Sequence, residues 1–491
     1  MRIVYIDVDA LRPDHLGCYG YPRATSPTLD RLARHGVRFT SCYASDAPCL
    51  AARSAISTGR FGIHTGAVNH GGGAADPWIA PALRTFNRHP DALTWFQALR
   101  EVGHRTASIS SFPERHGAPW FTAGLHEWHD PGKSGDERAE EVNELALPWL
   151  AAHATEPDWF LHLNYWDPHT RYRTPDSYGN RFEGEPGPDW LDEDLLRRHR
   201  EGYGPMSARD GSLYWFGWRS PLPWVPQEIA TLDDFGAWID AYDTSIRYLD
   251  DHLAQVVRTL ETAGVLDDTM IIVSADHGES QGELNVYGDH QTADEATCHV
   301  PLIVRWPARL PAGQVDERLL YPIDLAATVI ELAGGTVPRE WDGRSFAADF
   351  AGDAGPNEEG PFRDHLVLSQ MAWSCQRSVR FDRWLYIRTY HDGFKQMPGA
   401  MLFDVRTDPH QTHDLATAEP DVCRRADAIL TEWRDAMLAT SHHERDPLDV
   451  VLAEGGPHHL RGELDRYVQR LRATGRAEHA QALLERHGDG G

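Results

Sequence analysis

Residues 49–60 read Cys-Leu-Ala-Ala-Arg-Ser-Ala-Ile-Ser-Thr-Gly-Arg. The small residues after Cys49 predict a helix that begins at the cysteine. The free N–H groups and the positive dipole at a helix N-terminus favour an anion, so Cys49 is well placed to act as a nucleophile. Arg53 lies one helical turn further on and should face the same site. Taken alone the motif is weak, because a cysteine among small apolar residues is more often a buried hydrophobic residue.

Short apolar runs rich in β-branched residues recur along the chain, as expected for strands buried on both faces of a sheet. The runs that predict strands are Ile3–Val8, Trp159–Leu163, Thr269–Ser274 and Pro301–Arg305. Helical patterns alternate with them, at Asp91–Val102, Ala139–Ala152 and Asp240–Leu260. This alternation predicts an α/β fold in which helices cover both faces of a sheet and the functional site lies at the C-terminal ends of the strands.

Acidic residues and a histidine follow two of these strands. Asp9 comes directly after the first strand, and Asp276 and His277 belong to the sequence Ser-Ala-Asp-His-Gly-Glu at residues 274–279. Carboxylates at strand ends converge on one crevice, and hard oxygen ligands suit Ca²⁺, Mg²⁺ or Mn²⁺. A lone Asp-His-Gly-Glu would be weak evidence, since acidic residues at strand ends are often helix caps. Asp7 lies on the same strand face as Asp9, where we favour a buried structural role.

These elements, in this order and at these separations, resemble the type I sulfatases of the alkaline phosphatase superfamily. The matching segments are residues 9–20 (Asp-x-Leu-Arg-Pro-Asp through Gly-Cys-Tyr-Gly), 49–60 and 274–279. In that family the cysteine is oxidised to formylglycine, whose hydrated aldehyde is the nucleophile. Ala51 stands where most relatives have proline, a variant that the family tolerates. The resemblance extends from residue 3 to about 416, where residues 402–416 are similar to the ending of the family's C-terminal subdomain.

The resemblance implies an alkaline-phosphatase-like large mixed sheet flanked by helices, with a small C-terminal α+β subdomain that carries an antiparallel sheet. We expect the catalytic domain over 1–365 and the subdomain with terminal helices over 366–491. The segment from about residue 185 to 228 is rich in Trp, Pro and Gly, which indicates either a lid over the site or an insertion that packs on itself. The last predicted helix, about 460–486, has an apolar stripe that should lie against the chain itself or another subunit.

The resemblance also implies a metal site. It assigns Asp9, Cys49, Asp276 and His277 as ligands of one divalent cation, for which we expect Ca²⁺, with Mg²⁺ and Mn²⁺ as alternatives. Ala10 stands where many relatives have a second aspartate, so fewer negative charges surround the cation here. A cation in this place would polarise the transferred group and lower the pKa of the formylglycine hydrate.

Three further residues take roles from the same resemblance. Arg53 would hold the hydrate and its charge. His169, in a Pro-His loop after a strand, corresponds to the family histidine that contacts the sulfate and its leaving oxygen, so it is a candidate general acid. Asn69, about twenty residues after the cysteine, lies where some relatives have an asparagine that contacts the transferred group.

The chain departs from the family at its two usual lysines. His290 holds the place of the lysine that follows the Asp-His-Gly-Glu element, and it is a second candidate general acid. Arg115 and His116 lie near the place of the other lysine and are candidate substrate-binding residues. Lys133 and Lys395 are the only lysines and fall at neither position. A neutral imidazole can donate a hydrogen bond to a leaving oxygen, but it lacks the fixed charge of lysine.

Composition limits the class of protein. The 491 residues carry a formal charge of −27, which argues against nucleic acid or an anionic membrane as a partner. No apolar run is long enough to span a bilayer, and the first predicted strand starts almost at residue 1, so we expect a cytoplasmic protein without a signal peptide. The six cysteines are scattered, which fits a reducing compartment.

The sequence therefore predicts a sulfuric ester hydrolase, of the arylsulfatase kind, that acts on a sulfated small molecule or carbohydrate. It would need a formylglycine-generating maturation enzyme as a partner and could form a homo-oligomer through its C-terminal helix. Two alternatives remain: a phosphonate monoester or phosphodiester hydrolase on the same scaffold, and an inactive relative that binds sulfated carbohydrate. Intact Asp9, Arg53, Asp276 and His277 argue against the inactive protein.

Overall fold

The computed structural model describes residues 1–78, 94–351, 362–443 and 445–488. The start of the helix predicted from Asp91 lies outside the described residues. Within these ranges the chain forms an eight-stranded sheet, a five-stranded sheet and a two-stranded ribbon, with helices packed around them. No helix among the described residues has both the length and the apolar composition needed to span a lipid bilayer.

The strands, in chain order, are β1 (Arg2–Val8), β2 (Val37–Tyr43), β3 (Asp46–Ala47), β4 (Arg105–Ile109), β5 (Glu127–His129), β6 (Trp159–Tyr165), β7 (Thr269–Ala275), β8 (Ser280–Gln281), β9 (Tyr287–Asp289), β10 (His299–Arg305), β11 (Gln314–Asp316), β12 (His365–Gln370), β13 (Cys375–Phe381), β14 (Trp384–His391) and β15 (Ala400–Asp404). The helices are α1 (Pro27–Arg34), α2 (Cys49–Thr58), α3 (Gly62–Thr65), α4 (Trp95–Glu101), α5 (Phe112–Arg115), α6 (Ala139–His153), α7 (Glu193–Glu201), α8 (Ser212–Phe216), α9 (Leu232–Thr262), α10 (Glu295–Cys298), α11 (Pro322–Leu332), α12 (Pro420–Thr440), α13 (Pro447–Ala453), α14 (Leu464–Ala473) and α15 (Ala477–His487).

The large sheet has the strand order β11-β2-β10-β7-β1-β6-β4-β5. Its central strand β1 pairs in parallel with β6 and β7, and every residue from Ile3 to Val8 is buried. The strand β10 runs antiparallel to both of its neighbours, so the sheet is mixed. Because β1 and β7 end side by side, the residues that follow them meet at one edge.

The second sheet has the order β15-β14-β13-β12-β3. Its strands from β12 to β15 are antiparallel, while the short β3 pairs in parallel with β12. Since β3 directly precedes the helix α2, the start of that helix lies where the two sheets approach each other. The mixed large sheet and this C-terminal antiparallel sheet confirm the predicted fold class.

The C-terminal prediction was wrong in one respect. The expected single helix over about 460–486 is broken into α14 and α15, with Gly475 between them at φ = 78°. The apolar spacing continues across this turn, which is why the sequence pattern suggested one helix. Its apolar side chains are buried against the same chain, beside Trp215 and Trp373, so the stripe gives no reason to expect an oligomer; they are Leu460, Val468, Leu471 and Leu483.

Candidate active site

Cys49 is the first residue of α2 and is almost completely buried, with 2% of its surface exposed. Its Sγ lies 3.1 Å from Nε2 of His277, although the two residues are 228 positions apart in the sequence. Burial and the neighbouring carboxylates Asp9 and Asp276 raise the pKa of the Cys49 thiol well above its ordinary value. An unmodified thiol in this place would therefore stay protonated and would be a poor nucleophile.

Arg53, one turn further along α2, lies below the cysteine and between three carboxylates. Its guanidinium is 2.8 Å from Asp7, 2.8 Å from Asp9 and 2.7 Å from Asp276. The aromatic rings of Trp166 and Phe112 are also near it, at 5.1 and 5.5 Å from the ring centroids. Asp7 makes a second contact with Nε2 of His162 at 3.3 Å, which fits the buried structural role expected for it.

The two carboxylates nearest the cysteine differ in their pKa. Burial alone would raise the pKa of Asp9, but the Arg53 guanidinium and the neighbouring histidines hold it well below its ordinary value. Burial raises the pKa of Asp276 well above its ordinary value, and the charges of Asp9 and Asp7 add to that effect. Three acids that share one guanidinium leave a site with excess negative charge, which favours a cation.

Four side chains offer atoms that could bind such a cation. The donor atoms of Asp9, Cys49, Asp276 and His277 all lie within 4.8 Å of one another. Oδ1 of Asp9 is buried and has no hydrogen-bond partner, while its other oxygen is paired with Arg53. Nδ1 of His277 contacts the carbonyl oxygen of Gly278 at 2.8 Å, so its Nε2 is directed at the site. The residues present therefore fit a bound cation.

Ala10, where many relatives have a second aspartate, contributes its backbone instead. Its amide donates to Oδ1 of Asp276 at 3.3 Å, and its carbonyl oxygen accepts from the hydroxyl of Tyr242 at 2.7 Å. Ala10 has φ = 60°, an uncommon conformation for a residue other than glycine. The backbone in this position orients one of the candidate ligands rather than adding another.

Two histidines lie on the solvent side of the cysteine. Nε2 of His169 is 3.9 Å from the free oxygen of Asp9, and the ring of His290 is 4.1 Å from that of His277 and 5.4 Å from that of His169. Burial lowers the pKa of His169 to about 3, and burial with the nearby histidines lowers that of His290 well below its ordinary value. Both imidazoles are therefore neutral at pH 7.

A cavity of about 460 Å³ opens above these residues. Its walls come from the start of α2, segments that follow strands of the large sheet, the ribbon strand β9, the turn between β12 and β13, the 185–228 insertion and the C-terminal segment. The lining residues are Cys49, His70, Glu114, Arg115, His116, Ser134, His169, Thr170, Phe216, Trp218, Gly288, Asp289, His290, Trp373, His458 and His459. Arg115 and His116 are among them, as expected for substrate-binding residues. Asn69 is not; its side-chain oxygen accepts from the backbone amides of His70 and His458 instead, at 2.9 and 3.3 Å.

Sequence reasoning missed several residues that line this cavity or lie just beside it. His70 and His459 are hydrogen-bonded to each other at 2.9 Å, and Glu279, with a pKa raised to about 8 by burial, lies within 4.8 Å of the donor atoms of His169 and His290. The Asp-His-Gly-Glu motif includes Glu279 and could have indicated it. The pairing of His70 with His459 joins positions 389 residues apart and has no local signal in the sequence.

Comparison with known families agrees with this geometry. Residues 2–335 match the family model described as Sulfatase, and residues 282–432 match that of N-sulphoglucosamine sulphohydrolase, C-terminal. The first match covers more than half of the chain, so the protein belongs to the sulfatase family. This confirms the family that the sequence motifs predicted and places it in the alkaline phosphatase superfamily.

Individual relatives are distant. The chain is 26% identical over 460 residues to the multifunctional alkaline phosphatase superfamily protein PehA of Trinickia caryophylli, covering 80% of this chain and 86% of the relative. It is 25% identical over 438 residues to the ulvan-active sulfatase of Formosa agariphila, covering 82% and 73%. Its structure is similar to that of the phosphonate monoester hydrolase SpPMH of Silicibacter pomeroyi, with a TM-score of 0.65, 20% identity and coverage of 90% and 96%.

Proposed function

We propose that this member of the sulfatase family hydrolyses a sulfate ester in the cavity above Cys49. The observation that carries the proposal is the position of the cysteine at the start of α2, within 4.8 Å of the donor atoms of Asp9, Asp276 and His277. Hydrolysis of a sulfate ester needs a nucleophile and groups that hold a cation beside it, and here the cysteine meets two carboxylates and an imidazole at the strand ends. The substrate class is a sulfated small molecule or carbohydrate.

Two groups beyond the twenty amino acids would complete the site. Asp9, Asp276, His277 and position 49 would hold a divalent cation, for which we favour Ca²⁺, and the cation would supply Lewis acidity toward the ester oxygens. Position 49, oxidised to formylglycine by a maturation enzyme, would supply the hydrated aldehyde as the nucleophile.

The chain's own residues bind and orient the substrate. Arg53 fixes the carboxylates beneath position 49 through its three ion pairs. His169 and His290 stand beside the reacting position with neutral rings, so either can donate an N–H hydrogen bond to the departing oxygen. Proton transfer as the general acid requires the imidazolium form, which a bound anionic substrate would favour. Arg115 lines the same cavity and supplies a fixed positive charge for the anionic group.

The test uses protein produced together with a formylglycine-generating enzyme. Mass spectrometry of the peptide that contains Cys49 should show the aldehyde, and the protein should hydrolyse an aryl sulfate. The variant Cys49→Ala should have no activity above background. An active enzyme whose Cys49 is entirely an unmodified thiol would refute the proposed nucleophile.

A second candidate, hydrolysis of a phosphonate monoester or phosphodiester, is favoured by one observation. His290 replaces a family lysine, so the cavity has fewer fixed cations than the family pattern implies. The structural similarity to a phosphonate monoester hydrolase is compatible with that alternative. Parallel assays on an aryl sulfate and a phenyl phosphonate ester separate the two, and efficient turnover of the phosphorus ester alone would reject the sulfatase activity.

A further inference from the structure

The cavity above Cys49 has one aromatic side. Phe216 and Trp218 come from the 185–228 insertion, Trp373 from the turn between β12 and β13, and His459 from the segment before α14. We call these four residues the aromatic wall. They reach the same cavity from three distant parts of the chain, although the sequence left open whether the insertion contacts the site at all.

The rings of the aromatic wall form a continuous surface. Phe216 stacks on Trp218 with centroids 4.2 Å apart, and Trp373 stacks on His459 at 4.4 Å. The two pairs are joined because Phe216 meets Trp373 edge to face at 5.7 Å. Trp218 is half-buried, so part of its ring remains available for a ligand. The exposed part of Trp218 therefore offers a flat apolar face, whereas Trp373 is 2% exposed and packs inside the cluster.

Backbone contacts hold the wall in place. The amide of Trp373 donates to Oε1 of Gln370 at 3.1 Å, and the amide of His459 donates to the carbonyl oxygen of Ala372 at 3.2 Å. Gly217 ends α8 at φ = 69°, which turns the chain sharply between Phe216 and Trp218. A surface that is fixed before the ligand arrives loses little conformational entropy on binding.

The remaining lining is polar but carries few permanent charges. Among the described lining residues, Arg115 is the one arginine or lysine, and Glu114 and Asp289 are the two carboxylates. Burial, neighbouring histidines and Arg115 lower the pKa of both His70 and His116 well below the ordinary value, so these rings are neutral. A substrate with a second anionic group would therefore meet two acids and a single cation.

We propose that the aromatic wall binds the leaving group of the substrate, and that this group is a flat, uncharged ring that carries a single sulfate ester. The inference rests on the proposed function, because the ester must be at position 49 while the ring lies against the wall. A phenolic ring meets this description, and so does a neutral pyranose, which would lie against the wall with its apolar face. A cavity of about 460 Å³ is within the ordinary size range for such small ligands.

The test measures kcat/KM of the matured enzyme for four substrates: 4-nitrophenyl sulfate, galactose 6-sulfate, methyl sulfate and glucosamine N,6-disulfate. For each ring substrate, the preference is its kcat/KM divided by that of methyl sulfate. This ratio is compared between the parent and Trp218→Ala, because the intrinsic reactivity of each ester is the same for both proteins and cancels. The preference for at least one ring should fall about tenfold, which corresponds to ~1.4 kcal/mol. The ring whose preference falls identifies the source, phenol or sugar.

Two variants control for structural damage. Trp218→Phe keeps an aromatic face and should keep the ring preference. Trp224→Ala removes another half-buried tryptophan of the insertion, one that packs against the main core and does not line the cavity, and should leave the preference unchanged. An unchanged preference in Trp218→Ala would overturn the inference, as would faster turnover of the disulfated sugar than of galactose 6-sulfate. If the matured parent cleaves no sulfate ester, the proposed function itself fails.

Discussion

The variant Arg53→Met should be less stable than the parent, and a divalent cation should restore part of the lost stability. Arg53 is 2% exposed and its guanidinium is the shared partner of Asp7, Asp9 and Asp276 at 2.7–2.8 Å. Removing one partner of a buried ion pair costs roughly 3–5 kcal/mol, because the remaining charge stays buried without compensation. We expect a loss of that size in the free energy of unfolding, measured by urea denaturation at pH 7 with a chelator present.

The pH dependence of this loss has a definite sign. Without the guanidinium, the pKa of Asp276 rises further above its ordinary value, and the pKa values of Asp7 and Asp9, which Arg53 holds down in the parent, rise as well. The folded variant therefore binds more protons than the folded parent, so its stability relative to the parent falls as pH rises through those raised pKa values. The free energy of unfolding that Arg53→Met loses relative to the parent should therefore be smaller at pH 5 than at pH 8.

A cation distinguishes this site from an ordinary ion-pair network. Ligand at about 100 times its dissociation constant stabilises a folded protein by ~2.7 kcal/mol, and Arg53→Met should gain more from the cation than the parent does. Arg23→Met is the matched control, because Arg23 is buried and pairs with Asp240 and Asp243 at 2.8 Å, away from Cys49. It should lose stability without any extra response to the cation. Equal cation responses in Arg53→Met and the parent would refute the reasoning.

Three further predictions concern catalysis and burial. His290→Ala should slow turnover of esters with poor leaving groups more than that of nitrophenyl esters, since only the former need a strong general acid; equal losses would remove His290 from that role. Treatment with a chelator should abolish turnover, and adding back Ca²⁺, Mg²⁺ or Mn²⁺ should restore it; full activity without a cation would contradict the metal site. Burial lowers the pKa of Lys395 to about 7, so the unfolded state binds more protons above pH 7. The free energy of unfolding should therefore rise between pH 7 and 9 more in the parent than in Lys395→Met, and parallel profiles would show that Lys395 is not buried.

The sequence predicted the parts of the site that depend on strand ends. Ile3–Val8 and Thr269–Ser274 are apolar throughout because β1 and β7 are buried on both faces, so their positions and the convergence of Asp9 with Asp276 could be inferred. Cys49 could be placed because a helix start has a local pattern of small residues. These signals are each contained within about ten residues of chain.

The outer part of the cavity could not be inferred because it depends on long-range packing. His459 reaches the site only because α14 packs beside Trp215 and the preceding segment binds the turn that contains Trp373. No periodicity in the sequence reports such a contact. Lys395 illustrates the same limit, since its burial beside the carbonyl oxygen of Pro205 follows from the packing of a loop on the insertion.

A cation and an anionic substrate should bind this site cooperatively. The charge of Arg53 is already matched by three carboxylates, and the histidines beside position 49 are neutral, so Arg115 alone among the described lining residues offers a permanent positive charge. A divalent cation at Asp9 and Asp276 would add positive charge within a few ångströms of the ester, where Coulomb attraction is strongest. The formal charge of −27 is spread over 491 residues, and at physiological salt the exposed part is screened beyond ~8 Å. By linkage, a non-hydrolysable sulfate analogue must then raise the affinity for the cation by the same factor by which the cation raises the affinity for the analogue.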